Sequence, residues 1–330
     1  MAPGFGLFLT SLVVLVVMIL PGTTSASSAP ASLPIIEGSA RPAEDDLPIL
    51  LGVSLTHLLR AAVPASYTPP HEAAAFSFEQ AQIVSVYGFP GICFMGELGC
   101  HEPAEAAARA RDLARALDEA NGERAAVPAL HLIVAVAQPH PGADGTYLQW
   151  MPDETIREWV EVARREGVLL FLDVQIGWSE PLREVARLRD VLREPFVHLA
   201  LDPEFATHAK ALPPGDAIGT VDAPAVNEVQ AYLAGIVRQH ALPPKVLVLH
   251  QFQPGMLTNK AHYLDVPEVG ITVDMDGFGG AEAKISGYEA YARVGTEHSA
   301  FKLFFHWDEP LLTPAQLQAL PHPPDYVIYQ

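Results

Sequence analysis

The sequence predicts a parallel α/β protein and, within that class, a (β/α)8 TIM-like barrel. Eight apolar segments with strand character alternate with amphipathic segments of helical periodicity, which is the pattern of a parallel sheet. Three apolar segments also end in acidic residues that alternate with apolar ones, which suits strands that line a polar mouth. An open doubly wound sheet is the alternative, because seven or eight parallel strands would serve it as well. The predicted strands are Gln82–Tyr87, Pro128–Val136, Val168–Val174, Val197–Leu201, Lys245–Leu249, Val269–Met275, Phe301–Phe305 and Tyr326–Tyr329.

Four of the intervening segments carry apolar residues at three- and four-residue spacing, which predicts helices with one buried face. Proline begins three of them, where its missing N–H costs nothing. The last connection, Pro314–Leu320, offers only a short helix, and the segment Pro48–Ala62 is a candidate to replace the missing one. The predicted helices are Pro103–Asn121, Asp153–Glu166, Pro181–Arg193 and Pro224–His240.

The composition is that of a globular protein with a strongly acidic surface. The chain has 330 residues, of which 49% are hydrophobic and 18% charged, enough to bury one large core. Its 39 acidic residues against 20 basic ones would repel nucleic acid and anionic lipid headgroups over most of the surface. Nucleic-acid binding is therefore not expected.

The N-terminal region has the pattern of an export signal. Residues 5–20 are almost wholly apolar and small residues follow, with Ala26 or Ala29 as plausible cleavage positions. We expect residues 1–26 to be a signal peptide or an uncleaved membrane anchor, residues 27–48 a Ser/Ala/Pro-rich linker, and residues 49–330 one barrel domain. The expected location is extracellular or in the cell envelope, with membrane attachment only if the segment is uncleaved. In an oxidising compartment, Cys93 and Cys100 would either form a disulfide or remain buried thiols.

The acidic strand ends predict one functional mouth. Side chains two residues apart on a strand share a face, so the polar residues of these strands should point into the barrel together. Such a funnel would bind a cation or a neutral ligand rich in hydroxyl groups. Aromatic residues of the neighbouring loops, Phe278 and Trp307 among them, could stack on sugar rings. The predicted mouth residues are Tyr87, Asp173, Gln175, Asp202, Glu204, Asp274, Asp276, His306 and Asp308, with His250 or Gln251 from the fifth strand.

The most specific pair is Asp202-Pro203-Glu204, at the end of the fourth predicted strand. Two carboxyl groups on one face repel each other, so one should hold its proton to a higher pH, as glycoside cleavage requires. Glu204 would then be the proton donor, and Asp202 would orient it or stabilise positive charge on the sugar. The simpler interpretation is a turn begun by Asp-Pro with a solvated Glu204.

A metal site is the competing interpretation of the same strand ends. Asp274, Asp276, His306 and Asp308 could bind a divalent ion together with Asp202 or His250. The chain lacks a His-x-His or His-Glu-x-x-His signature, so no metal and no cofactor is predicted.

Four motifs resemble those of an uncharacterised family of secreted bacterial proteins and predicted lipoproteins with a barrel-like pattern. The resemblance covers roughly Ser85 to Glu309 and implies family membership without an established activity. The chain has no lipid-attachment Cys near the predicted cleavage site, which departs from the lipoprotein members. The motifs are Leu172–Gly177, Leu199–Phe205, Ile218–Val229 and Leu242–Phe252.

More loosely, Asp202-x-Glu204 is similar to the Asp-x-Glu of barrel glycoside hydrolases that cleave amino-sugar polymers, including lysozyme-like muramidases. This similarity implies Asp202 as a stabiliser and Glu204 as a proton donor, and it extends to no other residue. The additional Asp of chitinase-like members is replaced by Ala200. The expected function is an exported glycoside hydrolase whose partner is a carbohydrate or cell-wall component. A non-catalytic glycan-binding barrel and a metal-dependent hydrolase are the alternatives.

Overall fold

A barrel of eight parallel strands is the central feature of the computed structural model, which describes residues 77–122, 124–296 and 298–330. Three further short strands lie outside this barrel. In chain order the strands are β1 Ala81–Gly88, β2 Ala125–Ala137, β3 Leu148–Trp150, β4 Leu169–Gln175, β5 Val197–Asp202, β6 Val221–Asp222, β7 Lys245–Gln251, β8 Leu257–Thr258, β9 Val269–Met275, β10 His298–Leu303 and β11 Tyr326–Tyr329.

Strand pairing closes the sheet, which confirms the predicted barrel and excludes the open doubly wound sheet. The order around the barrel is β1, β2, β4, β5, β7, β9, β10 and β11, and every neighbouring pair is parallel. Closure lies at β1, where Ile83 pairs with Tyr326 of β11 on one side and with Val127 of β2 on the other. Each of the eight predicted strands corresponds to one barrel strand.

Helices connect most of the barrel strands, and their starts follow the sequence signals. The first begins with Pro103 after a capping box of Glu102 and Glu105, so its first N–H groups have partners. The prediction of one continuous helix over Pro181–Arg193 is wrong, because this segment is a short α-helix followed by two 3-10 turns. An apolar spacing of three to four residues does not distinguish an α-helix from 3-10 turns. The helices are α1 Pro103–Asp118, α2 Asp153–Glu166, α3 Pro181–Val185, α4 Ala223–His240, α5 Ala281–Gly287 and α6 Pro314–Gln318.

The barrel interior holds polar and aromatic side chains from strands that are not neighbours. The Phe171 ring of β4 lies 4.9 Å from that of Tyr326 on β11, although β2 and β1 separate these strands in the sheet. His131 Nδ1 lies 3.0 Å from the Tyr326 hydroxyl, which donates to Ser85 Oγ at 2.8 Å. These contacts across the barrel form a packed floor beneath the C-terminal strand ends.

The predicted signal peptide, the linker, the candidate covering segment Pro48–Ala62 and the first part of the predicted domain lie outside the described residues. Within the described part of the chain, none of the helices combines the length and hydrophobicity that a membrane span would need.

Candidate active site

A cluster of charged side chains fills the C-terminal end of the barrel. The hydroxyl of Tyr87 donates to Asp173 Oδ2 at 2.8 Å, and His250 Nε2 lies 3.4 Å from the same oxygen. These residues belong to β1, β4 and β7, which are not neighbours, so their side chains meet inside the barrel. The other imidazole nitrogen, His250 Nδ1, lies 2.9 Å from Asp274 Oδ2 and 3.3 Å from Asp276 Oδ2.

Lys302 completes this charge cluster from β10. Its Nζ lies 2.9 Å from Asp276 Oδ1 and 3.6 Å from the centroid of the Tyr87 ring. We call Tyr87, Asp173, His250, Asp274, Asp276 and Lys302 the charge cluster.

Two cations balance the carboxylates of the charge cluster. Burial alone would lower the pKa of His250, but the surrounding carboxylates raise it well above its usual value, so the ring is protonated at neutral pH. Burial would raise the pKa of Asp276, but Lys302 and His250 outweigh it and hold that pKa below its usual range. Asp276 is therefore an ionised carboxylate, and its side chain is 12% exposed at the mouth.

Asp202 and Glu204 lie beside this cluster, where β5 ends. Asp202 Oδ1 accepts a hydrogen bond of 2.9 Å from the backbone N–H of Glu204 and so caps the 3-10 turn Pro203–Phe205. The predicted turn is therefore present, but the side chain of Glu204 is half-buried rather than fully solvated. Its carboxyl group makes no hydrogen bond or ion pair with any residue that the structure describes.

Burial and neighbouring charge keep protons on this pair. Burial raises the pKa of Glu204 to about 8, with further contributions from the charges of Asp202 and Asp276. Burial likewise raises the pKa of Asp202 to about 7, an effect that the charge of His250 opposes. The two carboxyl groups therefore titrate as an interacting pair, and both pKa values are raised above the usual range of a carboxylic acid.

The backbone of Gly219 packs directly against the turn that carries Glu204. The backbone N–H of Gly219 donates to the carbonyl of Glu204 at 2.5 Å. A Cβ at this glycine would lie 2.2 Å from the carbonyl oxygen of Pro203 and 2.3 Å from the backbone nitrogen of Ala206. Only glycine allows this close approach of two backbone segments.

Three predicted mouth residues have their polar atoms engaged elsewhere. Gln175 Oε1 accepts from the backbone N–H of Ala137 at 2.7 Å, and Gln251 Oε1 accepts from Lys260 Nζ at 3.1 Å. Asp308 pairs with Lys284 at 2.9 Å. These side chains link neighbouring segments and belong to the support of the mouth.

His306 does not lie on the inward face of a strand, as the sequence predicted, because β10 is shorter than expected. The strand ends at Leu303, so the alternation of faces does not continue to residue 306. His306 lies exposed in the following turn and makes no hydrogen bond, ion pair or ring contact with a described residue. The predicted residues that the structure brings together are Tyr87, Asp173, Asp202, Glu204, His250, Asp274 and Asp276.

Sequence reasoning missed Lys302 and His131 as part of the barrel interior. Lys302 shares the polar face of its strand, and this parity is the signal that could have identified it. His131 stands within the apolar run of β2, and its ring centroid lies 5.5 Å from that of His250. A lone histidine in an apolar strand gave no comparable signal.

Two overlapping groups of side chains have donor atoms close enough to hold a metal ion. They are His131, Asp173 and His250, and His250, Asp274 and Asp276, with the donor atoms of each group within 4.8 Å of one another. Imidazole and carboxylate donors suit zinc or manganese. Both groups depend on His250, whose two nitrogens already face carboxylates, and Lys302 already supplies positive charge to Asp276. His306 and Asp308, which the sequence suggested as metal ligands, belong to neither group.

No protein-family model matches the chain, and no curated protein matches it. Among solved structures, the chain is similar to a cellulase, with 11% identity, a TM-score of 0.38, and coverage of 67% of this chain and 65% of the other. The match therefore spans slightly less than two thirds of the cellulase. It is also similar to an oxaloacetate acetylhydrolase, with 13% identity, a TM-score of 0.39 and coverage of 76% of each chain. Similarities this weak carry no argument about function, and the barrel rests on its own strand pairing.

Proposed function

We propose that the protein is an exported carbohydrate-active enzyme that hydrolyses glycosidic bonds, with Glu204 as the general acid. One observation carries this proposal: Glu204 stands half-buried at the barrel mouth with no described partner for its carboxyl group, and its pKa is raised to about 8. A carboxyl group in this state holds a proton at neutral pH and can donate it to a leaving-group oxygen.

Asp202 acts on Glu204 and does not contact the substrate itself. It is buried, and its carboxylate binds the backbone of the turn that carries Glu204. Its negative charge adds to burial in raising the pKa of Glu204. Asp202 thus orients the proton donor and keeps it protonated.

Asp276 is the ionised carboxylate that faces the developing positive charge of the sugar. Glycoside cleavage passes through an oxocarbenium-like transition state, which a nearby carboxylate stabilises. Asp276 keeps its negative charge because Lys302 and His250 lower its pKa against the effect of burial, and it is partly exposed. Its negative charge also contributes to the raised pKa of Glu204.

Export is supported by a disulfide. Cys93 and Cys100 are bonded, with their Cα atoms 4.4 Å apart. Disulfides persist mainly in oxidising compartments outside the cytosol. This agrees with the apolar N-terminal segment expected to act as an export signal.

The proposal is tested by measuring release of reducing ends from cellulose, chitin, xylan and purified peptidoglycan by the full-length protein. Glu204→Gln keeps the shape of the side chain but cannot donate the proton, so turnover should fall by roughly 10²–10⁴-fold. Glu158→Gln on the exposed face of α2 is the matched control and should leave turnover unchanged. Undiminished turnover in Glu204→Gln would contradict the role of Glu204. Tight glycan binding without turnover by the wild type would favour a non-catalytic binding protein.

A further inference from the structure

Three exposed aromatic side chains meet beside the charge cluster. Phe94, Phe278 and Trp307 are 50%, 48% and 39% exposed, and they belong to the segments that follow β1, β9 and β10. The Trp307 ring centroid lies 5.9 Å from that of Phe94 and 5.5 Å from that of Phe278. We call these three residues the aromatic platform. Exposed aromatic side chains clustered from separate loops are typical of a binding surface.

A buried network holds two of the rings in place. Phe304 is buried beneath them, and its ring centroid lies 5.7 Å from that of Trp307 and 5.9 Å from that of Phe278. Asp308 accepts from the backbone N–H of Phe304 through one oxygen and of Gly279 through the other, at 2.9 Å each. This carboxylate therefore joins the loop of Phe278 to the loop of Trp307.

The third ring is held by a covalently closed loop. Phe94 follows Cys93, and the disulfide to Cys100 closes the turn on which the ring stands. A Cβ on Gly96, in the same loop, would lie 2.3 Å from the carbonyl oxygen of Tyr87, so the loop rests directly on the end of β1. The backbone segments that carry the three rings are thus held in place before any ligand binds, which reduces the entropy lost on binding.

The platform continues into the proposed catalytic site. Beneath Trp307, the Phe304 ring centroid lies 5.4 Å from Lys302 Nζ, which lies 2.9 Å from Asp276. The rings therefore lie close to Asp276, whose partly exposed carboxylate can accept hydrogen bonds. Sugar rings combine both requirements, because they have apolar C–H faces and hydroxyl donors. The net charge of −19 disfavours a polyanionic glycan.

We propose that Phe94, Phe278 and Trp307 form a stacking subsite for a chain of neutral sugars. Binding at this subsite would position the scissile glycosidic bond at Glu204 and Asp276. This inference rests on the proposed function and adds the class of substrate and the path by which it enters. Three separate rings span more surface than one monosaccharide covers, so the subsite favours oligosaccharides over single sugars.

The test measures binding separately from turnover. Titration calorimetry with cellohexaose and chitohexaose would use full-length Glu204→Gln, so that neither probe is consumed. Trp307→Ala, Phe278→Ala and Phe94→Ala, each added to that protein, should weaken binding of the probe that binds by about threefold to tenfold per ring. Leu264→Ala is the matched control, because Leu264 is equally exposed and precedes β9, at the opposite end of the strand from Phe278.

A loss of affinity in each ring variant, with no change in Leu264→Ala, would support the subsite. Unchanged affinity in all three ring variants would overturn it, even if Glu204-dependent hydrolysis is observed. Binding that requires the rings in a protein without turnover would retain the subsite and refute the catalytic proposal. Sedimentation would expose a different use of this face: a dimer that Trp307→Ala dissociates, with glycan affinity unchanged, would identify a self-association surface and overturn the inference.

Discussion

The replacement Lys302→Met removes the positive charge that holds the charge cluster together. The side chain of Lys302 is buried, and its Nζ pairs with Asp276 Oδ1 at 2.9 Å. Methionine preserves much of the volume but leaves Asp276 with only His250 to balance its charge. Breaking a buried pair by removing one partner costs about 3–5 kcal/mol. For a domain of this size, that corresponds to a decrease of about 6–20 °C in Tm.

Urea unfolding followed by circular dichroism would measure this loss. The matched control is Arg115→Met, because Arg115 and Asp112 form a surface pair whose side chains are 76% and 55% exposed. That variant should lose less than about 1 kcal/mol. A loss in Lys302→Met no larger than in the control would refute the assignment of Lys302 as the central cation.

The pH dependence of Lys302→Met gives a second measurement of the same effect. Without the ammonium group, the pKa of Asp276 should rise, because only His250 then opposes the effect of burial. The ionised carboxylate would then contribute less stability than in the wild type, so the deficit of the variant should be largest near neutral pH and should shrink as Asp276 is protonated in acid. Asp276→Asn in the Lys302→Met background should recover part of the loss, because it removes the orphaned charge.

Three further predictions concern the turn of Glu204. Gly219→Ala places a Cβ within 2.2 Å of the Pro203 carbonyl oxygen, so the turn that carries Glu204 must move by about 1 Å. Turnover should therefore fall by about 10²-fold. A crystal structure of the variant in which Glu204 has not moved would contradict this explanation. Glu204→Gln should make the free energy of unfolding less dependent on pH. Because the pKa of Glu204 is raised to about 8, the wild type should lose stability as the pH rises from about 4 to 8, by at most about 1.4 kcal/mol per pH unit. Urea unfolding of both proteins at several pH values would detect the difference. Asp202→Asn should shift the basic limb of the pH–rate profile downward, since loss of the neighbouring negative charge lowers the pKa of Glu204; an unshifted limb would show that Asp202 does not act on the proton donor.

The strand-level prediction succeeded because alternation is a property of the backbone. The sequence around Asp202 and Asp274 places polar side chains on one face, and closure of the barrel turns that face inward. The same rule failed at His306 because nothing in the sequence marks the end of β10 at Leu303. Element boundaries depend on tertiary packing, which local patterns do not encode.

The partners of each site residue could not be predicted either. The sequence predicted Asp308 as a mouth residue that binds substrate or metal, but its oxygens bind Lys284 and two backbone N–H groups. Contacts of this kind join segments far apart in the sequence. Gly219 is a similar case, because its importance arises from the close approach of two loops that the sequence does not place together.

The central claim is that Glu204 donates a proton to the leaving group, and leaving-group dependence tests it most directly. Turnover of wild type and Glu204→Gln would be compared on the natural glycan and on a dinitrophenyl glycoside of the same sugar, whose leaving group needs no protonation. The account predicts a loss of roughly 10²–10⁴-fold on the glycan and a much smaller loss on the activated glycoside. An equal loss on both substrates, or none on either, would contradict it.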